Sequence, residues 1–410
     1  MKIIPKKIDN LNIYPPPSKS QTLRALTFAL LAKGKSIIYN YLNSPDTYTM
    51  IKAIRSLGAN VKIFKKKIEV IGTDGYLTSK SKIIDSENSG IVFRFISALI
   101  ALLDTPISIT GDLSIKKNRV ISPLIKGLKQ LKVSINKTVP LTIKGPMIPN
   151  KIYISGKDSQ PISALLIATS FSKGKETEIF VKNSGEKPWI DLTLSWFNFL
   201  NIKYEKKEYF YYKTFSNTKI NGFEKIIESD FSSIYYPIIY ALINNLNATI
   251  NIDFSSLGGD KKLISILQEM NANIDIKKDK ILIRKGSKLK NKKIDVNDFI
   301  DALPILSVLG CFIDGETILY NAAIAKKKES NRINAMYTEL KKMGANIKKK
   351  KDGLIIKKSF LKGAHLYSHK DHRITMSLII AALSAKKDSF IENTSSIKKS
   401  YPHFLKDFNL

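Results

Sequence analysis

Met343-Gly344-Ala345-Asn346-Ile347 has two close copies earlier in the chain, Leu57-Gly58-Ala59-Asn60-Val61 and Met270-Asn271-Ala272-Asn273-Ile274. In each copy an apolar residue closes a helical pattern, small or turn-forming residues follow, and alternation begins. Ile274-Asp275-Ile276, a lysine-rich turn and Ile281-Leu282-Ile283 show that alternation in full. The reading is a helix end followed by a β-hairpin. Leu131 and Leu200 mark two further helix ends at similar spacing.

A second landmark keeps the same beat. Segments that read as helix starts fall at Lys19, Asn88, Asp158, Asp230, Asp298 and Asp371, separated by 69, 70, 72, 68 and 73 residues. Each is followed by an apolar stretch of helical length, such as Ile91 to Leu103 or Ile374 to Ala385. The repeating unit is therefore strand, helix, strand, helix, hairpin, or βαβαββ. A strand at Met1 to Ile4 and a helix over Lys398 to Phe408 would close a sixth unit from the two chain ends. A period near seventy is too long for a solenoid, whose repeats run roughly 20 to 50 residues.

Six units divide into two domains of three, which suits 410 residues. One domain is expected at 17–228 and the other at 1–16 plus 229–410. The stiff Tyr14-Pro15-Pro16-Pro17 would carry the first crossing, and Ile227 to Asp230 the return. Polar helix starts in every unit could then converge on one surface. Helix N-termini carry unpaired N–H groups and partial positive charge, which suits anions.

Of 67 basic residues only seven are arginine: Arg24, Arg55, Arg94, Arg119, Arg284, Arg332 and Arg373. Where lysine is accepted so freely, arginine marks positions that need a flat, permanently charged, two-pronged donor. Five of the seven sit in or beside polar clusters; Arg55 and Arg284 read as surface charges. The formal charge of +32 invites a nucleic-acid reading, but the lysines are scattered through polar turns and form no stripe. No nucleic-acid partner is expected. The chain has no apolar run near the roughly 18 residues of a membrane span and no signal-peptide pattern at its start. One cysteine, Cys311 in an apolar run, reads as a packing residue. A cytoplasmic monomer without membrane contact is expected.

Ser18-Lys19-Ser20-Gln21-Thr22-Leu23-Arg24 caps a helix and gathers Lys, hydroxyl and Arg near its start, a set suited to a small anion. Asn88-Ser89-Gly90 with Arg94 is a second start, where glycine admits close backbone approach. Lys328-Glu329-Ser330-Asn331-Arg332 would put Lys328 and Arg332 on one helical face, with a carboxylate kept ionised beside them. Asp301 is either a first-turn residue compensating the helix dipole or a catalytic base. His365, His369 and His372 loosely resemble metal-ligand spacing, but no soft ligand is near and no metal is expected.

Together these clusters resemble the enolpyruvyl transferase family on its EPSP synthase branch, in order along nearly the whole chain. The resemblance implies a two-domain inside-out α/β barrel, each domain of three βαβαββ units, with the active site in the interdomain cleft. It implies transfer of the enolpyruvyl group of phosphoenolpyruvate to the 5-hydroxyl of shikimate 3-phosphate through a tetrahedral ketal, with no metal and no organic cofactor. Carried over by motif, Lys19, Gly90, Arg119, Arg332, Arg373 and Lys399 hold phosphoenolpyruvate. Ser20, Arg24, Ser159, Gln160, Asp301 and Lys328 hold shikimate 3-phosphate. Asp301 takes the hydroxyl proton, and Glu329 with Lys19 manages proton transfer at the methylene and the leaving phosphate. Arg94 would position the second helix start. The other enolpyruvyl transferase branch, acting on UDP-N-acetylglucosamine, carries a loop cysteine that Ser114 to Val120 lacks. A binding protein that kept the fold but lost activity is the remaining alternative.

Departures from the family pattern concentrate on one side. Ile91 stands for a threonine, Asp158 and Glu186 for serines, Trp189 for a tyrosine and Ile324 for an asparagine. Those two serines help to bind the phosphate of shikimate 3-phosphate in the family. Two carboxylates there would repel it unless Lys157 and Lys187 intervene.

Overall fold

The computed structural model describes residues 1–8, 11–254 and 259–410. The chain separates into two compact units, Met1–Pro16 with Ser229–Leu410, and Pro17–Glu228. Each has its own apolar core, one built around Phe28, Phe93 and Phe197 and the other around Tyr236, Leu306 and Phe404.

The architecture is mixed α/β, with helices inside and small sheets outside. Lys19–Leu31, Gly90–Ile100 and Ser159–Ser170 are buried on nearly every side, as are Tyr235–Ile243, Leu303–Gly310 and His372–Leu383. Beyond polar residues at some of their starts, their sequences are largely apolar, the pattern of a helix enclosed by protein. The strands instead alternate buried and solvent-facing residues, as in Glu176–Lys182, because each sheet covers helices with one face only.

Among the described residues there are six sheets, and five of them repeat one plan. In Lys151–Ser155, Glu176–Lys182, Tyr211–Phe215 and Tyr204–Lys207, the first two strands are parallel and the last two form an antiparallel hairpin. A helix joins the parallel pair and a second helix leads into the hairpin. Leu57, Leu131, Leu200, Met270 and Met343 are the C-caps of that second helix in five units, where the repeated motif puts them. The sixth sheet has three strands: Lys2–Ile3 runs antiparallel to Ser389–Glu392, which lies parallel to His365–Tyr367.

Two sheets borrow their first strand from across a crossing of the chain. Leu11–Ile13 pairs with Ala248–Asn251, and Glu224–Ile226 pairs with Lys35–Tyr39. In each case the strand that begins a unit is followed in sequence by a helix of the other unit.

Several local expectations are corrected. The fourth start does not open a helix at Asp230; a turn intervenes and the helix is Tyr235–Ile243. Asp298 lies in a 3-10 segment, Asn297–Ala302, kinked at Phe299, before the α-helix Leu303–Gly310. The C-terminal helix is broken into Thr394–Lys399 and Phe404–Asp407, because Pro402 cannot donate within a helix. Lys328 is extended and lies outside the helix Arg332–Lys342, so it does not share a helical face with Arg332.

Candidate active site

Within Pro17–Glu228 the expected residues lie at three helix starts. Ser18 caps Lys19–Leu31 by accepting the Gln21 amide at 3.3 Å. Lys19 Nζ lies 3.5 Å from Asp46, a buried carboxylate that the sequence reading missed because it resembles an ordinary first-turn residue. Arg24 is buried: Nε donates to Thr193 Oγ1 at 2.9 Å, Nη1 to Ser20 O at 3.2 Å and Nη2 to Trp189 O at 3.0 Å. Burial lowers its pKa to about 9, and among the described residues no carboxylate offsets that. A buried cation held only by neutral acceptors retains a strong demand for an anion.

Gly90 begins the second helix, and Arg119 lies against it. A β-carbon at Gly90 would come 2.3 Å from Arg119 Nη1, so only glycine leaves the guanidinium where it is. Arg94 is tethered on both arms, Nη1 to Gly90 O and Gln160 Oε1 at 3.1 and 2.9 Å, Nη2 to Val120 O and Asp158 Oδ2 at 2.7 and 2.9 Å. It thus ties the second helix start to the third, Ser159–Ser170. The charge facing Asp158 is this arginine, which corrects the expectation for Lys157 and Lys187: Lys157 is exposed, and Lys187 stands over the Tyr209 ring.

Within the other unit a denser cluster forms. Arg332, almost fully buried, reaches three carboxylates: Nη1 to Asp301 at 2.6 Å, Nη2 to Glu329 at 2.9 Å and Nε to Asp371 at 2.9 Å. A further contact from Nη2 to Asp371 Oδ1 at 3.3 Å commits most of its N–H groups. Three carboxylates thus share one guanidinium. Arg373 Nη2 lies 3.4 Å from Asp301 and Nη1 donates to Ser232 O at 3.1 Å. Lys399 Nζ meets Glu329 Oε1 at 3.3 Å.

Burial alone would raise the Asp301 pKa, but Arg332, Arg373 and Lys328 outweigh it and hold the carboxyl well below the usual carboxylate range. Asp260, which sequence reasoning passed over, goes the other way. Burial, reinforced by the Asp301 charge, pushes it up to about 7. Two buried carboxyls of one unit are thereby pushed in opposite directions, one by its guanidinium neighbours and the other by burial.

The Asp260 shift has a measurable sign. Folded Asp260 keeps its proton to about 7, whereas an unfolded aspartate loses it near about 3.9. The folded state binds more protons across that window, so this group makes stability fall as pH rises through it. Asp260→Asn is expected to remove that decline, so that urea midpoints at about pH 5 and about pH 8 differ less than in the parent. An unchanged difference would refute the assignment.

His365 and His369 are engaged by Glu392 and Glu339 at 2.7 and 3.0 Å. Cys311 is buried, and burial pushes its thiol up to about 12. Among the described residues no helix is long and apolar enough to cross a membrane.

The sequence model of EPSP synthase (3-phosphoshikimate 1-carboxyvinyltransferase) matches residues 6–408. The chain belongs to the EPSP synthase family. A relative named 3-phosphoshikimate 1-carboxyvinyltransferase from Chlamydia pneumoniae is 40% identical over 407 residues, 97% of this chain and 91% of the relative. One of the same name from Chlamydia caviae is 40% identical over 418 residues, 100% of this chain and 92% of the relative. Among solved structures, EPSP synthase from Acinetobacter baumannii superposes with a TM-score of 0.82 at 23% identity, covering 100% of this chain and 97% of that one. The enolpyruvyl transferase NikO from Streptomyces tendae gives 0.80 at 14% identity, over 99% and 95%. At these identities the two structures speak for the fold.

Proposed function

We propose that this member of the EPSP synthase family transfers the enolpyruvyl group of phosphoenolpyruvate to the 5-hydroxyl of shikimate 3-phosphate and releases phosphate. The observation that carries the reading is Asp301, kept ionised by Arg332 and Arg373, in a chain 40% identical to relatives named for this reaction. An ionised carboxylate is free to accept a proton, and the guanidinium groups beside it favour anionic ligands, which supports this reading.

Asp301 takes the proton of the 5-hydroxyl as its oxygen bonds to C2 of phosphoenolpyruvate. Glu329, with Lys19, handles the proton at the methylene carbon. The tetrahedral ketal then loses phosphate and a methyl proton to restore the enol ether. Charge stays on phosphate and carboxylate throughout, and Lys19, Arg119, Arg373 and Lys399 stabilise it. Arg332 contributes at most its uncommitted N–H to the ligand and otherwise sets the acids. Arg24, buried among neutral acceptors, meets an anionic group of the acceptor. Ser20, Ser159, Gln160 and Lys328 complete the acceptor side.

Phosphate release from phosphoenolpyruvate with shikimate 3-phosphate, and separately with UDP-N-acetylglucosamine, tests this reading. Release with the first acceptor alone supports it; release with neither favours an inactive relative. Gly90→Ala gives a local check. Its β-carbon would lie 2.3 Å from Arg119 Nη1 and 2.9 Å from Arg94 Nη1, so both guanidinium groups must give. The Arg119 clash is the more severe, and KM for phosphoenolpyruvate is expected to rise about tenfold or more while KM for the acceptor rises less. Equal changes in both constants would argue against the placement of Arg119.

A further inference from the structure

The helix Arg332–Lys342 grips one segment of the chain at two points. Arg332 and Glu339 are seven residues apart, which in an α-helix puts them on one face about two turns apart. Arg332 Nε donates to Asp371 Oδ2 at 2.9 Å. Glu339 Oε2 accepts the Tyr367 amide at 3.0 Å, and its Oε1 meets His369 Nε2 at 3.0 Å. Lys342 Nζ donates to Glu339 Oε2 at 2.7 Å. Glu339 itself is 1% exposed. Burial alone would raise its pKa, but His369, Lys342 and the Tyr367 amide outweigh it and hold the carboxyl below its ordinary value.

The gripped segment is short and sharply bent. It runs from the end of the strand His365–Tyr367 to Asp371, the cap of the helix His372–Leu383. Between them His369 and Lys370 both adopt left-handed backbone, with φ of 53° and 54°. A single histidine visits that region more often than most residues, but two side-chain-bearing residues in succession stay there only where their surroundings impose it. Ser368 Oγ helps from inside, donating to Asn393 O at 2.9 Å and accepting the Lys370 amide at 3.3 Å. Glu339 holds the strand side of the bend and Arg332 the helix side. Just beyond lies Arg373, whose amide donates to Asp371 Oδ1 at 2.9 Å and whose Nη2 lies 3.4 Å from Asp301. All these residues belong to one unit. Resting on the reading that Arg373 holds phosphoenolpyruvate, we infer that Glu339 is a positioning residue for that arginine. Its carboxylate meets Tyr367, His369 and Lys342, none of them assigned to a substrate. It acts by setting the angle at which the helix start presents Arg373.

The test is made on the full chain with Glu339→Gln, which keeps the size of the side chain and an oxygen for the Tyr367 amide but removes the charge. KM for phosphoenolpyruvate is expected to rise about five- to tenfold, with kcat within about threefold and KM for shikimate 3-phosphate within about twofold. Hydrogen exchange gives a readout that needs no substrate. The amides of Tyr367, Lys370, Asp371 and Arg373 should exchange about tenfold faster, while those of the helix Ser159–Ser170 keep the parental rate. His369→Asn tolerates left-handed backbone but is shorter than the imidazole, and it should move the same quantities in the same direction by a smaller factor. Because the two side chains form one contact, the double variant should raise KM by less than the product of the single effects. Parallel rises in both KM values, or unchanged exchange of the four amides in Glu339→Gln, would overturn the inference. Should Glu339→Gln not fold, His369→Asn decides alone, and an unaltered KM for phosphoenolpyruvate in it would overturn the inference equally. If the parent turned over no substrate, the enolpyruvyl reading would fail, yet the exchange pattern would still decide the role of Glu339.

Discussion

Asp301→Asn is expected to lower kcat by about 10²- to 10⁴-fold, the usual contribution of a positioned general base. The amide keeps the size of the side chain and can still accept from Arg332, so the loss should fall on kcat more than on KM. The environment of Asp301 sharpens the expectation. Arg332 at 2.6 Å and Arg373 at 3.4 Å keep the carboxylate charged to low pH. Any acid limb of the parent's pH–rate profile therefore belongs to another group, and the variant should lose rate uniformly from about pH 6 to about pH 9. Asp301→Glu keeps the charge but is not equivalent, since the extra methylene moves the carboxylate from the position that Arg332 and Arg373 meet. An Asp301→Asn variant with more than about a tenth of the parental kcat would remove Asp301 from the role of base.

Asp371→Ala should produce the largest loss of stability, about 3 to 5 kcal/mol for breaking a buried ion pair. Asp371 is fully buried and has two tasks. Its Oδ1 accepts the Arg373 amide at 2.9 Å and caps His372–Leu383, while Oδ2 accepts from Arg332 Nε at 2.9 Å and from Ser330 Oγ at 3.0 Å. Alanine removes the cap, itself worth about 1 kcal/mol, and leaves the Arg332 Nε without its acceptor. Asp371→Asn keeps an oxygen for the cap but not the charge, and should fall between the parent and alanine. Urea unfolding with a constant slope checks the order. A loss below about 1 kcal/mol for alanine would mean that the cluster relaxes far more easily than its burial implies.

The fold was legible because its repeat is local. Helix ends at Leu57, Leu131, Leu200, Met270 and Met343 need only an apolar closing residue, a small turn and an alternating strand, all adjacent in sequence. Helix starts were read less well where the capping residue sits outside an α-helix: Asp230 precedes a turn, and Asp298 a kinked 3-10 segment. The cluster at Lys328–Arg332 could be named but not shaped, since the extended backbone at Lys328 depends on packing and not on residue type. Asp46, Asp260 and the link from Arg94 to Asp158 were invisible for another reason. Each pairs residues that are far apart in sequence, and a lone carboxylate in a first turn or after a glycine carries no mark of its partner.

The borrowed strands carry a consequence for synthesis. Leu11–Ile13 leaves the ribosome long before Ala248–Asn251, its partner, while Glu224–Ile226 arrives just as Pro17–Glu228 is finished. Pro17–Glu228 can therefore complete its native pairing before Leu11–Ile13 meets its partner strand. During that interval Lys2–Ile3 and Leu11–Ile13 are tethered and unpaired, and each is short enough to limit mispairing. A fragment starting at Pro17 would keep every strand of Pro17–Glu228, whereas one starting at Ser229 would lack a strand in two of its three sheets.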